Sequence, residues 1–161
     1  MDGDMSIRIT SGEFEADQRI PTKFTDDGDD VSPALAWSGV PAGTNELALI
    51  VDDPDAPRAE PWIHWVLYKL PPTTSALPEG VPADKKLPQF GGALQGRNDF
   101  KKIGYGGPAP PKGHGTHHYR FHLYALDRAL SLEPGLDNKA LIAAMSGHIL
   151  DEGVLVGTYE R

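Results

Sequence analysis

Three short segments gather side chains that can do chemistry. In Asp53-Pro54-Asp55-Ala56-Pro57, two prolines fix a turn from which two carboxylates emerge directly after an apolar run. Strand ends and the loops that follow them are where ligand contacts concentrate, although an Asx-capped tight turn has the same composition. In Trp62-Ile63-His64-Trp65-Val66, residues two apart share a strand face. Alternation therefore predicts Trp62, His64 and Val66 on one side, with Ile63 and Trp65 on the other. Taken singly, His64 also reads as a hydrogen-bonded core histidine. The third segment runs from Gly104 to Arg120 and sets five glycines and three prolines before His117-His118-Tyr119-Arg120. Glycine lets backbone approach a ligand closely, and proline stiffens the approach. Alternation then predicts His117, Tyr119 and Phe121 on an inward face and His118, Arg120 and His122 on the outer one. His114 is expected to be an exposed loop residue.

Imidazole N–H groups, a tyrosine hydroxyl and glycine amides are suitable donors to phosphate or carboxylate. Anion binding is the chemistry these residue types fit best. Asp53 makes sense beside an anion if it orients and charges a histidine, or if it meets a protonated phosphate oxygen or a ligand amine. His64, His117 and an aspartate have the composition of a two-histidine, one-carboxylate metal site. No H-x-H or H-E-x-x-H spacing pre-assembles such a site, so no metal or other cofactor is expected. The alternative is a small hydrolase or lyase with Asp53 and His64 as an acid/base pair. Neither a G-x-S-x-G elbow nor a cysteine is present to supply a nucleophile. A binding role, not an enzyme, is therefore expected. The acidic run Asp26-Asp27-Gly28-Asp29-Asp30 reads as a solvated turn more than as a calcium loop.

The elements that must position these residues are mostly strands. Runs at Ile7–Ser11, Glu46–Val51, Trp62–Leu70, His117–Leu126 and Val154–Tyr159 are rich in β-branched or aromatic residues and bounded by Gly, Pro or Asp. Leu47–Val51 is uniformly apolar, which predicts burial on both faces. With 18 glycines and 15 prolines there is room for few helices. One is expected over Asn138–Leu150, capped by Asp137, with Leu141, Met145 and Ile149 as its buried stripe. A weaker helical turn is expected near Ala83–Lys86.

At 161 residues the chain is expected to form a single domain spanning 1–161, with residues 1–5 as a flexible lead-in. The formal net charge of −8 argues against a nucleic-acid or acidic-membrane binder, which would need a basic face. The chain has no cysteine, so disulfides and thiolate ligands are excluded. The first ten residues carry no apolar signal-like stretch, and no run approaches a membrane span. A cytoplasmic protein is the expectation.

Taken together and in order, the segments resemble one known family. DPDAP, a histidine seven residues after its last proline, and then GGP…PPKGxGxHxY are similar to the phosphatidylethanolamine-binding protein (PEBP) family. The likeness is closest to its bacterial and archaeal branch, the Raf-kinase-inhibitor-like proteins. Ser32-Pro33 with Leu35 and Trp37, and Asn98-Asp99-Phe100 before Gly104-Tyr105, extend it over residues 7 to 159. The resemblance implies a mainly β fold of two antiparallel sheets, with few short helices and one helix toward the C-terminus. It also implies a small anion pocket. Carried over by position, Asp53, Asp55, Trp62, His64, Gly107, Pro108, His117 and Tyr119 would bind the ligand. That ligand would be a phosphate, a carboxylate or a phosphoethanolamine-like head group, with peripheral lipid contact, a homodimer and regulation of a kinase or other partner among the family's associations. The family's H-R-Y slot holds His118 in place of arginine, a departure expected on the outer face. The short stretch after Tyr159 lacks the longer C-terminal helical segment of eukaryotic members, which weakens transfer of their partners.

Overall fold

In the computed structural model, which describes residues 6–161, the apolar run at the centre of the sequence becomes the centre of the fold. Glu46–Asp53 forms a strand with all eight residues buried. It lies between Trp62–Leu70 and His117–Leu126, with both ladders antiparallel. In chain order the strands are β1 (Arg8–Thr10), β2 (Leu35–Ser38), β3 (Glu46–Asp53), β4 (Trp62–Leu70), β5 (Ala76–Leu77), β6 (Lys86–Leu87), β7 (Ala93–Gln95), β8 (His117–Leu126) and β9 (Ile149–Tyr159). They make a three-stranded sheet ordered β1-β2-β5 and a six-stranded sheet ordered β6-β7-β4-β3-β8-β9. Short 3-10 turns occupy Thr22–Phe24 and Pro88–Phe90. The expectation for residues 1–5 lies outside the described residues.

Two apolar clusters sandwich the large sheet. The first joins Ile9, Trp37 and Leu77 of the small sheet to Leu49, Val51, Trp65 and Phe121 of the large one. The second joins Ile50, Ile63, Val66 and Tyr68 to the one α-helix of the described residues, α1 (Asn138–Met145). Successive residues of β3 thus serve different clusters, which is why its sequence is continuously apolar.

Three expectations need correction. The helix begins as predicted, with Asp137 accepting from Ala140 N, but it ends at Met145 and not at Leu150. Ser146 has already left helical backbone (φ −56, ψ 126), and the chain then enters β9 at Ile149, five residues before the expected strand start. Leu141 and Met145 are buried, whereas Ile149 is 45% exposed. No helical turn forms at Ala83–Lys86; Lys86–Leu87 pairs instead with Ala93 and Leu94.

The third correction concerns β4. Val51 pairs with Trp65 and Asp52 with Ile63, so His64 is an extra residue, a β-bulge. His64 and Trp65 therefore face the same side, toward the inter-sheet cluster. Val66 turns to the helix side with Ile63. Trp62 and His64 stay together, but Val66 and Trp65 have exchanged their predicted sides. A second irregularity between Leu47 and Leu49 places Lys69 in left-handed backbone (φ 59). Its ammonium bonds Glu46 Oε2 at 3.2 Å and the Leu130 carbonyl.

Candidate functional site

The bulge decides which side chains meet. A cavity of about 190 Å³ opens where β3 ends and β4 and β8 begin, with Asp53, Trp62, His64, His117 and Tyr119 in its wall. Two loops complete it: Ala56 and Pro57 from the turn after β3, and Ala109, Pro110 and Pro111 from the glycine-proline loop, with Phe100 between. The lining is thus polar at a few points on an otherwise apolar surface, the usual constitution of a small-ligand site.

His64 is almost wholly buried, and its Nδ1 lies 2.7 Å from the Gly106 carbonyl. A carbonyl only accepts, so Nδ1 carries the proton and Nε2 is the ring's free position. The backbone answers, with Gly106 N donating to the His64 carbonyl at 2.8 Å. Burial pushes the imidazole below its ordinary value, against the opposing pull of the Gly106 carbonyl and the Asp53 charge. The ring is neutral and its Nε2 is an acceptor. Phe100 packs edge-on against both His64 (5.3 Å) and Trp62 (5.5 Å), and Tyr119 packs edge-on against His64 at 5.2 Å.

His117 is held from below. Its Nδ1 sits 2.6 Å from Asp53 Oδ2, with both side chains buried. The other Asp53 oxygen accepts from Asp55 N at 2.8 Å. Asp53 is thus engaged by two donors and fixes the orientation of the imidazole. It does not pair with His64, as the acid/base alternative would require. On its far side, His117 Nε2 lies 2.7 Å from His114 Nδ1. His114 is exposed as predicted, yet it touches the buried histidine, a contact with no signature in the sequence.

Among the described residues two buried donors have no partner: Trp62 Nε1 and the Tyr119 hydroxyl. Burial, reinforced by the Asp53 charge, pushes the tyrosine far above its ordinary value, so the hydroxyl keeps its proton. A buried donor left unsatisfied costs about 1–3 kcal/mol, and native proteins contain few of them. Here both belong to side chains of the same cavity.

Three residues carried over by resemblance do not line it. Asp55 turns outward, its Oδ2 accepting from His118 N (2.7 Å) and lying 2.8 Å from His118 Nδ1. Gly107 and Pro108 lie behind the wall. Gly107 N donates to Asp30 Oδ1 at 2.7 Å, and the Pro108 carbonyl accepts from Asp26 N at 2.9 Å. Gly107 is required there because an added Cβ would meet Phe24 O at 2.5 Å and Asp30 Oδ1 at 2.6 Å. The acidic run around Asp27 is spent on such contacts, with Asp27 Oδ2 accepting from Tyr159 and Arg161. Among the described residues no group of three or more His, Asp or Glu side chains is arranged to hold a metal ion. None of their helices is long and apolar enough to cross a membrane.

Comparison with known proteins places these features among relatives. The family model described as phosphatidylethanolamine-binding protein matches residues 10–160. A UPF0098 protein of Methanothermobacter thermautotrophicus is 49% identical over 155 residues, covering 96% of this chain and 99% of the relative. The UPF0098 protein PH1269 of Pyrococcus horikoshii is 46% identical over 157 residues, covering 98% and 78%. Among solved structures, the PEBP homologue CT736 of Chlamydia trachomatis superposes with a TM-score of 0.86 at 40% identity, covering 98% of this chain and 99% of that one. YbcL of Escherichia coli, described as a member of the mammalian PEBP family, gives 0.88 at 32% identity, covering 97% and 99%.

Proposed function

Because the chain belongs to the phosphatidylethanolamine-binding protein family, we propose that it binds a small oxyanion in the cavity between Asp53, His64 and His117. The observation that carries this reading is the pair of buried, unpartnered donors, Trp62 Nε1 and Tyr119 Oη. A ligand that satisfies both must present acceptor oxygens. His64 Nε2 adds an acceptor to the set, so the best match is an oxyanion that keeps one proton. A phosphate or phosphomonoester with one P–OH has that pattern, and so has a carboxylic acid. The apolar walls of Phe100, Pro57 and Pro110 suit the organic part of such a ligand. A phosphoethanolamine head group fits the description, and in that case the protein would touch lipid only peripherally. We read the role as binding: Asp53 is engaged in orienting His117 and makes no described hydrogen bond to His64.

Calorimetric titration with inorganic phosphate and with phosphoethanolamine tests the proposal. Trp62→Phe and Tyr119→Phe each remove one donor while keeping an aromatic wall. A hydrogen bond to a charged acceptor is worth about 1.5–3 kcal/mol, so each change should weaken binding roughly 10- to 150-fold. Equal affinities in wild type and both variants would remove the donors from the site and the reading with them.

A further inference from the structure

The loop that ends the cavity wall holds one contact that the binding reading leaves unused. Residues 112–116 are all exposed, yet His114 reaches back to the buried His117, Nδ1 to Nε2 at 2.7 Å with ring centroids 4.9 Å apart. Two bonded ring nitrogens must divide into one donor and one acceptor. His117 Nδ1 is committed to Asp53, so in the neutral ring Nε2 is the accepting lone pair and His114 Nδ1–H the donor. His117 is almost fully buried, and His114 is its one other polar neighbour among the described hydrogen bonds. The same atom, Nε2, is what His117 has to offer a ligand.

The loop is built to let go. Gly113 and Gly115 flank His114 in left-handed backbone (φ 74 and 91), and a Cβ at either would meet nothing within 4 Å. Outside the ring contact, the loop's ties are three bonds at exposed residues: Gly113 N to the Arg161 carbonyl and His114 N to the Pro111 carbonyl, each 3.2 Å, and the Thr116 hydroxyl to Glu160 Oε1 at 3.0 Å. The segment is exposed throughout, whereas Pro110 and Pro111 just before it belong to the cavity wall.

We propose that His114 is a displaceable stopper of the site, a claim that rests on the oxyanion reading above. In the empty protein it occupies His117 Nε2. When inorganic phosphate enters as its diprotonated monoanion, one P–OH meets His64 Nε2 as above, the other donates to His117 Nε2 in place of His114 Nδ1–H, and the loop around His114 swings away. The exchange is donor for donor, so His117 keeps its tautomer and its bond to Asp53. His114 therefore sets affinity by competing with the ligand, and its removal makes binding tighter.

Calorimetry with inorganic phosphate at pH 6.5, wild type against His114→Ala, reads this directly. Loss of one ordinary hydrogen bond from the empty state should tighten binding roughly 2- to 10-fold. In parallel, ¹⁵N spectra of histidine-labelled wild type should show His114 in the Nδ1–H form without phosphate and released from its bond at saturation. Phosphate binding that is unchanged or weaker in His114→Ala, or a His114 signal that saturation leaves in place, overturns the stopper and leaves the oxyanion reading standing. Binding by neither protein overturns both. Binding by the variant alone supports both, as the extreme case of the same competition.

Discussion

At the scale of single residues, the cavity sets ligand affinity against stability. Tyr119 holds a buried hydroxyl with no partner, so Tyr119→Phe should stabilise the ligand-free protein by about 1 kcal/mol while weakening anion binding. Urea unfolding without ligand checks the first half. A destabilised Tyr119→Phe would mean that the hydroxyl is satisfied in solution. Titration supplies a second prediction. His64 is held below its ordinary value by burial, so its contribution to stability is fully present above the unfolded value of about 6.5 and is lost as pH falls below it. His122 has the opposite sign. Burial would lower it, but Asp52 and then Glu152 outweigh burial and raise it, so its contribution is present below about 6.5 and lost as pH rises. His64→Gln should flatten the acid-side fall of stability between pH 5 and 7, and His122→Gln the alkaline-side fall above pH 6.5. Identical pH slopes in all three proteins would contradict both assignments. Much of the site's chemistry was legible from composition: Trp62, His64, His117 and Tyr119 share one cavity, and His118 lies outward. The Gly106 carbonyl on His64 and His114 on His117 were not, because contacts between a strand and an irregular loop follow no period.

At the scale of elements, long strands were easier to read than short ones. β4 and β8 begin and end where alternation and turn residues place them. The two-residue strands β5 and β6 are too short to show alternation and exist because a neighbour offers a ladder. Alternation also passed over the bulge in β4, since a bulge is set by the partner strand's register and not by the strand's own composition. The helix shows the opposite balance. Its start was legible from Asp137, whereas its apolar stripe ran on through Ile149 into what is β9. Removing the cap in Asp137→Ala should cost about 1 kcal/mol in urea unfolding, and a cost near zero would mean that packing of Leu141 and Met145 alone fixes the helix start. Behind the cavity, Gly107→Ala should be worse, by more than about 2 kcal/mol, because its Cβ meets backbone at Phe24 and the Asp30 carboxylate.

At the scale of the whole molecule, one sheet separates two apolar clusters, and β3 feeds both. Ile20 belongs to the inter-sheet cluster and Ile50 to the one under the helix. Ile20→Val and Ile50→Val should each cost about 0.5–1.5 kcal/mol, and the double variant should cost their sum within about 0.5 kcal/mol. A clear departure from additivity would show that the clusters behave as one. The general layout was legible because its causes are large: a strand apolar on both faces needs cover on both, and so few helices leave a second sheet to supply one side. The bulge carries a consequence for how such a chain can change. His64 has no partner of its own on β3, where Val51 takes Trp65 and the next residue, Asp52, takes Ile63. The frame of its neighbours therefore does not depend on it. Deletion would close the bulge into a regular ladder, with Ile63 and Trp65 adjacent on opposite sides and Trp62 still beside the cavity. The imidazole at 64 is thus an insertion that the sheet can gain or lose without a change of register, and the site's chemistry can be altered here while the fold around it keeps its pairing.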